Sequence, residues 1–128
     1  MFSIIERMKY LLRLSLDITG KNFRENQRYK DAVASVKTLT KPSNKIIVIA
    51  HRGRPKGKDK KLSLAPFAKA FSKDLRKKVV FLSDFNFKSI EKKVNKARGG
   101  SIFLLENLRF NPGEQDNSKD FAKSLASL

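Results

Sequence analysis

Residues 46–57 read IIVIAHRGRPKG, an apolar run that leads directly into a loop rich in glycine and basic side chains. Four consecutive aliphatic residues, 46–49, are typical of a strand that is buried on both faces, as in a parallel sheet. Ligands of open α/β sheets bind beyond the carboxyl ends of the strands. We therefore expect the loop 51–57 to lie at a ligand-binding edge of a sheet.

The loop carries groups that bind anions. Gly53 lets the backbone turn and approach a ligand closely. Arg52 and Arg54 offer planar forks suited to carboxylate or phosphate, and His51 can donate or accept a proton. The alternative interpretation of the same residues is a basic loop that only faces water.

The composition indicates one domain with an anionic partner. The chain has 128 residues, with 29 Lys and Arg against 12 Asp and Glu, which gives a formal net charge of +17. Such a charge favours a nucleic acid, a phosphorylated metabolite or an acidic surface as partner. The absence of Cys excludes disulfides and thiolate metal sites, and the single His argues against a histidine-based metal cluster.

The N-terminal residues 1–9 lack the apolar core and cleavage site of a signal peptide. No apolar run approaches the length of a transmembrane helix. We therefore expect neither export nor membrane insertion, and a cytoplasmic location.

Apolar patterns of two periods alternate along the chain. Short apolar runs predict four strands, at residues 10–16, 46–50, 79–82 and 101–105. Helical spacing predicts four helices, with apolar residues at Ala32, Val33, Val36 and Leu39, at Leu64, Phe67, Phe71 and Leu75, at Phe87, Ile90, Val94 and Ala97, and at Phe121, Ala122 and Leu125. This order indicates an α/β fold, a parallel sheet with helices on both faces, as in an incomplete Rossmann-like three-layer α/β/α domain.

Capping residues and loops complete this prediction. Ser63 and Ser118 are expected to cap the second and fourth helices, and the phenylalanines of the second helix to lie in the core. Gly99 and Gly100 are expected to stop the third helix. The polar and basic residues 21–29 are expected to form a loop.

Three strand ends, at Asp17, His51 and Glu106, should face the same side of the sheet. A cleft lined by arginines at that side could hold a small molecule that carries both a carboxylate and a phosphate. Glu106 and its neighbour Asn107 are expected to orient loops rather than do chemistry. The glycines of the loop lack the spacing of a Walker motif, so no nucleotide site is visible.

Two motifs resemble the same family. The loop 51–57 is followed by LSLAP at residues 62–66, and LLENLRF at residues 104–110 is followed by Pro112 and Glu114. With the tail 121–128, these segments resemble the N-terminal, substrate-binding domain of phosphoglycerate kinase, and the likeness runs from about Leu11 to the end.

The resemblance implies a glycolytic enzyme that transfers a phosphoryl group between 1,3-bisphosphoglycerate and ADP, giving 3-phosphoglycerate and ATP. In that family, which is monomeric, the N-terminal domain binds 3-phosphoglycerate and a second domain binds the magnesium nucleotide, MgADP or MgATP. Residues 1–128 would then be part of the first domain, without the nucleotide-binding domain and with no nucleotide bound by this chain. We expect such a fragment to be inactive alone.

The resemblance also implies roles for single residues. His51 and Arg54 would contact the substrate, with Arg52 and Gly53 between them, and Arg109 would hold the phosphate end. Arg28 would be the catalytic arginine that stabilises the transferring group, with Arg24 as a rival.

The end of the first predicted strand departs from the family. The family has Arg-x-Asp-x-Asn where this chain has Arg13, Ser15 and Asp17. Ser15 can still bind a substrate hydroxyl, whereas the Asp17 carboxylate would repel the carboxylate of the substrate. The family's sheet order, 3-4-2-1-5-6, further implies that the first strand here forms an open edge.

Two other functions fit the same sequence features. The first is a highly basic nucleic-acid-binding module on half of a Rossmann-like scaffold, which a steep salt dependence of oligonucleotide binding would favour. The second is a regulator that caps a full-length kinase.

Overall fold

Strands and helices alternate along the chain in the computed structural model, which describes residues 8–111 and 119–128. The strands are β1 (Met8–Arg13), β2 (Asn44–Ile49), β3 (Val79–Leu82) and β4 (Ile102–Leu105). The helices are α1 (Gln27–Leu39), α2 (Ala65–Leu75), α3 (Phe87–Lys96) and α4 (Lys119–Ala126). Short 3-10 turns lie at Phe23–Glu25, Lys60–Leu62 and Leu108–Phe110.

The strands form one parallel sheet in the order β1-β2-β4-β3. Tyr10 of β1 lies opposite Ile46 of β2, and Ile46 in turn lies opposite Ile102 of β4. The parallel α/β fold predicted from the sequence is confirmed. Among the described strands, β1 pairs with β2 alone and is therefore an edge strand.

Helices cover both faces of the sheet. Alternate residues of β2 point to opposite faces, so Ile46 and Val48 pack with α1 and α2, while Ile47 and Ile49 pack with α3 and α4. Burial on both faces explains why residues 46–49 of β2 and all of β4 are continuous apolar runs. Phe67 and Phe71 of α2 are fully buried, as predicted.

The first strand ends earlier than predicted. It stops at Arg13 instead of Leu16, because its partner β2 stops at Ile49. The last backbone bond between the two strands joins Leu14 N to Ile49 O at 3.0 Å. Leu16 is nevertheless fully buried, so this residue is apolar because it lies in the core and not because it belongs to a strand.

The first helix begins earlier than predicted. Residues 21–29, expected to form a loop, contain the 3-10 turn Phe23–Glu25 and the start of α1. The side chain of Asn26 accepts a hydrogen bond from Arg28 N at 2.9 Å and caps the helix. Asn is a preferred capping residue, so the sequence did contain this signal.

Two other predicted helix ends differ in detail. Ser63 accepts a hydrogen bond from Ala65 N at 3.1 Å, although Leu64 takes the capping position of α2. The helix α3 ends at Lys96, before both glycines. Gly99 instead lies against the Pro42 carbonyl, where a Cβ would stand 2.3 Å from the oxygen. Ser118 lies outside the described residues.

No helix within residues 8–111 and 119–128 is long and apolar enough to cross a bilayer.

Candidate functional site

The carboxyl ends of β1, β2 and β4 bring three segments together at one edge of the sheet. Leu108 N, after β4, donates to Ala50 O, after β2, at 3.0 Å. Gly53 N, in the loop after β2, donates to Asp17 Oδ1, after β1, at 2.7 Å. The three strand ends predicted to face one side therefore meet there.

Asn107 fixes the loop that carries the basic side chains. This residue is fully buried. Its Oδ1 accepts from Arg52 N and Arg109 N, each at 3.1 Å. Its Nδ2 donates to Arg52 O at 2.7 Å and to Leu62 O at 2.9 Å. Both ends of the amide thus hold the backbone on either side of the site.

Glu106 fixes the start of α2 in the same way. Its Oε1 accepts from Leu64 N at 2.9 Å and from Asn107 N at 2.8 Å. Its Oε2 accepts from the Ser63 hydroxyl at 2.7 Å. Glu106 and Asn107 orient neighbouring loops, as expected from the sequence.

Asp17 lies at the centre of the predicted site residues. Besides the bond from Gly53 N, its Oδ2 lies 3.8 Å from His51 Nε2. Arg28 Nη1 donates to the Asp17 carbonyl at 3.2 Å. Arg28 and the loop residues His51 and Gly53 therefore gather around this one residue, although Arg28 is more than twenty positions from the loop.

Arg109 reaches the same loop from β4. Its Nη1 donates to Gly53 O at 2.8 Å. Gly53 has φ +65°, a conformation that strains residues with a side chain, and a Cβ there would also push the Leu62 side chain, 2.8 Å away. Arg54, which follows Gly53, is exposed.

The resulting site is an open basic surface. Arg28, Arg54 and Ser15 are exposed, while His51 and Arg109 are partly buried. Guanidinium groups in such a position can bind carboxylate or phosphate through paired hydrogen bonds. The Asp17 carboxylate adds a negative charge in the middle of this surface.

Arg52 has a different position from its neighbours in the loop. It is 5% exposed, and its guanidinium donates to three backbone carbonyls. The acceptors are Ile18 O at 2.6 Å, Ser63 O at 3.1 Å and Gly20 O at 3.1 Å.

The Arg52 guanidinium also lies 5.0 Å from the centre of the Phe67 ring. Burial lowers the pKa of Arg52. The sequence grouped Arg52 with the substrate-binding residues because it lies between His51 and Gly53, but the structure turns its side chain into the interior. Nothing in a single sequence marks this orientation.

Arg24, the rival of Arg28, is paired elsewhere. Its guanidinium donates to the Asp74 carboxylate, with Nε 3.3 Å from Oδ2, and the Tyr29 hydroxyl donates to the same carboxylate. The hydrogen bond from Arg24 holds the pKa of Asp74 below its usual range. Burial and this carboxylate raise the pKa of Tyr29. Of the two arginines, Arg28 is therefore the one that contacts Asp17.

The part of the chain that the structure describes contains no group of three or more His, Cys, Asp or Glu side chains that could hold a metal ion.

A family model described as phosphoglycerate kinase matches residues 5–128. The chain belongs to the phosphoglycerate kinase family. The phosphoglycerate kinase of Xanthobacter autotrophicus is 37% identical over 122 residues, which cover 94% of this chain and 31% of that protein. The phosphoglycerate kinase of Wolbachia pipientis subsp. Culex pipiens is 41% identical over 120 residues, which cover 92% of this chain and 30% of that protein.

The solved structure of phosphoglycerate kinase from Coxiella burnetii superposes with a TM-score of 0.78 at 29% identity, over 95% of this chain and 30% of that one. The predicted resemblance and fold class are thereby confirmed. The chain spans about 30% of the length of the phosphoglycerate kinases it matches.

Proposed function

We propose that this chain provides the 3-phosphoglycerate site of a phosphoglycerate kinase, an enzyme that transfers a phosphoryl group between 1,3-bisphosphoglycerate and ADP in glycolysis. One observation carries the proposal: Arg109 Nη1 donates to Gly53 O at 2.8 Å, which joins Arg109 to the loop of His51 and Arg54. Cations from two strand ends thus surround one open surface, as a small ligand with two anionic ends requires.

Each predicted residue has a role in this proposal. His51 and Arg54 bind the substrate, with the backbone of Gly53 between them, and Arg109 holds the phosphate end. Ser15, exposed at the end of β1, binds a substrate hydroxyl. Arg28 stabilises the charge of the transferring group, because its bond to Asp17 O holds it beside the segment that follows β1.

Two residues act differently from the sequence-based roles. Arg52 holds the loops by its bonds to Ile18, Gly20 and Ser63 instead of binding substrate. Asp17 positions Gly53 N and His51 Nε2 through its two carboxylate oxygens, but its negative charge repels an anionic ligand. The proposed site is therefore well ordered and binds weakly.

Phosphoryl transfer depends mainly on positioning and on neutralising negative charge, and arginines at the substrate site supply both. In this proposal residues 1–128 form part of the substrate-binding domain, and the magnesium nucleotide is held by residues outside this sequence. With a role in glycolysis, the protein would act in the cytoplasm.

The proposal predicts that 3-phosphoglycerate perturbs the amide NMR signals of residues 51–57 in the isotope-labelled chain, with an affinity that falls as salt rises. Arg54→Gln should weaken this binding about tenfold, because it removes a charge-assisted pair of hydrogen bonds. Arg98→Gln is the matched control, since Arg98 is also exposed but lies after α3, at the opposite end of the sheet.

Equal affinities of the Arg54→Gln and Arg98→Gln chains would contradict the proposal. Tight binding of MgADP by this chain would also contradict it.

A further inference from the structure

The candidate site leaves most of the +17 charge without a role. At the amino ends of the strands, opposite the candidate site, the structure has a cleft of about 680 Å³. We call it the amino-edge cleft. Its lining consists of Lys41, Pro42, Ser43, Lys45, Asn95, Ala97, Arg98 and Gly99. Three of these residues are cationic and none is acidic.

Close backbone contacts build the cleft. Gly99 lies directly against the Pro42 carbonyl, which leaves no room for a side chain. Gly100 N donates to Asn44 O at 2.7 Å, which joins the loops that precede β4 and β2. Lys77, before β3, places its ammonium beside Gly100, so the basic surface continues past the cleft. The cations therefore stand on a fixed backbone arrangement.

Basic residues often occur at helix carboxyl ends, where they complement the helix dipole. This effect explains only some of the cations at the amino-edge cleft. Two helices, α1 and α3, end here, and each contributes roughly −0.5 charge. Lys45 Nζ already donates to Val94 O at 2.8 Å and to Asn95 O at 3.2 Å, at the end of α3. Five further cations remain on or beside the cleft: Lys41, Lys77, Lys93, Lys96 and Arg98.

These five cations have no acidic partner among the residues that the structure describes. No described carboxylate lies within 4.0 Å of any of them. Asp74, the acidic residue of the last turn of α2, pairs instead with Arg24 and Tyr29. Within residues 8–111 and 119–128, this surface thus holds a dense set of positive charges that no carboxylate neutralises.

The lining also indicates which anion fits. It contains no aromatic side chain on which an unpaired base could stack, and no large apolar side chain that could insert into a bilayer. Duplex nucleic acid presents one phosphate charge for about every 1.7 Å of its axis, and clustered lysine and arginine side chains can neutralise several such charges at once. The lining therefore favours ionic contacts with the phosphates of a duplex over stacking with bases or insertion into a bilayer.

We propose that the amino-edge cleft and its flanking cations bind the phosphate backbone of double-stranded nucleic acid, without preference for base sequence. Binding releases the counterions of the neutralised phosphates and is therefore strongly salt-dependent. The proposal does not depend on the proposed kinase role, because it uses the opposite end of the sheet.

Fluorescence anisotropy with a labelled DNA duplex of about twenty base pairs, two turns of B-DNA, tests the proposal. Lys41→Glu/Arg98→Glu should weaken binding at least tenfold and reduce the salt slope by about 1.8, the value for two phosphate contacts. Lys69→Glu/Lys123→Glu is the matched control, because both lysines lie on exposed helix surfaces and the net charge falls equally. The control should bind within threefold of the wild-type chain.

An equal loss of affinity in both double variants would overturn the proposal, because it would show an effect of net charge alone. Displacement of the duplex by saturating 3-phosphoglycerate would move binding to the other end of the sheet and would also overturn it. So would tighter binding of a single strand of equal length, binding only to anionic phospholipid vesicles, or no binding at all. Circular dichroism checks folding, and Lys41→Gln/Arg98→Gln serves as a milder second variant.

Discussion

The two ends of the sheet carry similar residues in different states of restraint. At the carboxyl end, Arg28 and Arg109 each donate to a backbone carbonyl of a neighbouring segment. At the amino end, Lys41 and Arg98 are exposed, and no described residue accepts a hydrogen bond from their side chains. A small ligand with defined geometry requires cations in fixed directions, whereas a polyanion requires only their density. Restraint, and not charge, therefore distinguishes Arg28 and Arg109 from Lys41 and Arg98.

Buried polar residues at the carboxyl end of the sheet hold the loops that carry the arginines. Glu106 and Asn107 are both buried, and the side-chain bonds of each hold more than one segment of backbone. Buried polar groups of this kind stabilise a fold only when all their hydrogen bonds are made. Substitutions at the two ends should therefore differ greatly in their effect on stability.

The largest expected difference is between Asn107→Ala and Asn95→Ala. The first change removes four hydrogen bonds and leaves buried backbone groups unpaired, so we expect it to lower the free energy of unfolding by about 3 kcal/mol. Asn95 is exposed and lines the amino-edge cleft, and its change should cost less than about 0.5 kcal/mol. Urea unfolding at neutral pH measures both values. Similar values for the two variants would contradict the contrast between the two ends.

Arg52→Met against Arg98→Met compares a buried guanidinium with an exposed one. In the first variant the methionine side chain would keep much of the packing on Phe67 but would leave the carbonyls of Ile18 and Gly20 without their donor. We expect a loss of about 2 kcal/mol for Arg52→Met and no more than about 0.5 kcal/mol for Arg98→Met. Thermal and urea unfolding check these values. If Arg52→Met leaves the free energy of unfolding unchanged, the hydrogen bonds from Arg52 to the carbonyls contribute little to stability.

The smallest effect concerns affinity instead of stability. Asp17→Asn keeps an oxygen that can accept from Gly53 N but removes the negative charge beside His51. We expect 3-phosphoglycerate to bind about three- to tenfold more tightly at low salt, because a repulsion is lost. Asp120→Asn, on the exposed first turn of α4, changes the net charge equally and should leave the affinity unchanged. Weaker binding by Asp17→Asn in a titration calorimeter would instead assign the carboxylate a positive role in binding.

Much of the fold could be predicted from local pattern. The bounds of β3, residues 79–82, and the buried stripe of α2 follow directly from apolar spacing. The meeting of three strand ends follows from the geometry of parallel sheets, which places their carboxyl ends along one edge. These features depend on each segment alone or on a general rule of the fold.

The features that the sequence missed depend on contacts between distant segments. The end of β1 is set by the end of β2, thirty-six residues later in the register that pairs Arg13 with Ile49. The direction of the Arg52 side chain depends on carbonyls at Ile18 and Gly20 and on the Phe67 ring. A basic residue in a basic loop gives no local sign of such partners, so its burial could not be predicted.

The edge position of β1 has a consequence for the colloidal behaviour of the protein. Met8 and Leu11 are its exposed large apolar residues, and no described strand pairs with the side of β1 turned away from β2, where an extended chain could add. Two copies of the chain that approach through β1 each carry a charge of +17, so long-range electrostatic repulsion keeps their edge strands apart. Dissolved salt reduces the range of this repulsion to about 10 Å at 0.1 M. Salt should therefore both weaken the binding of anionic ligands and favour aggregation through β1.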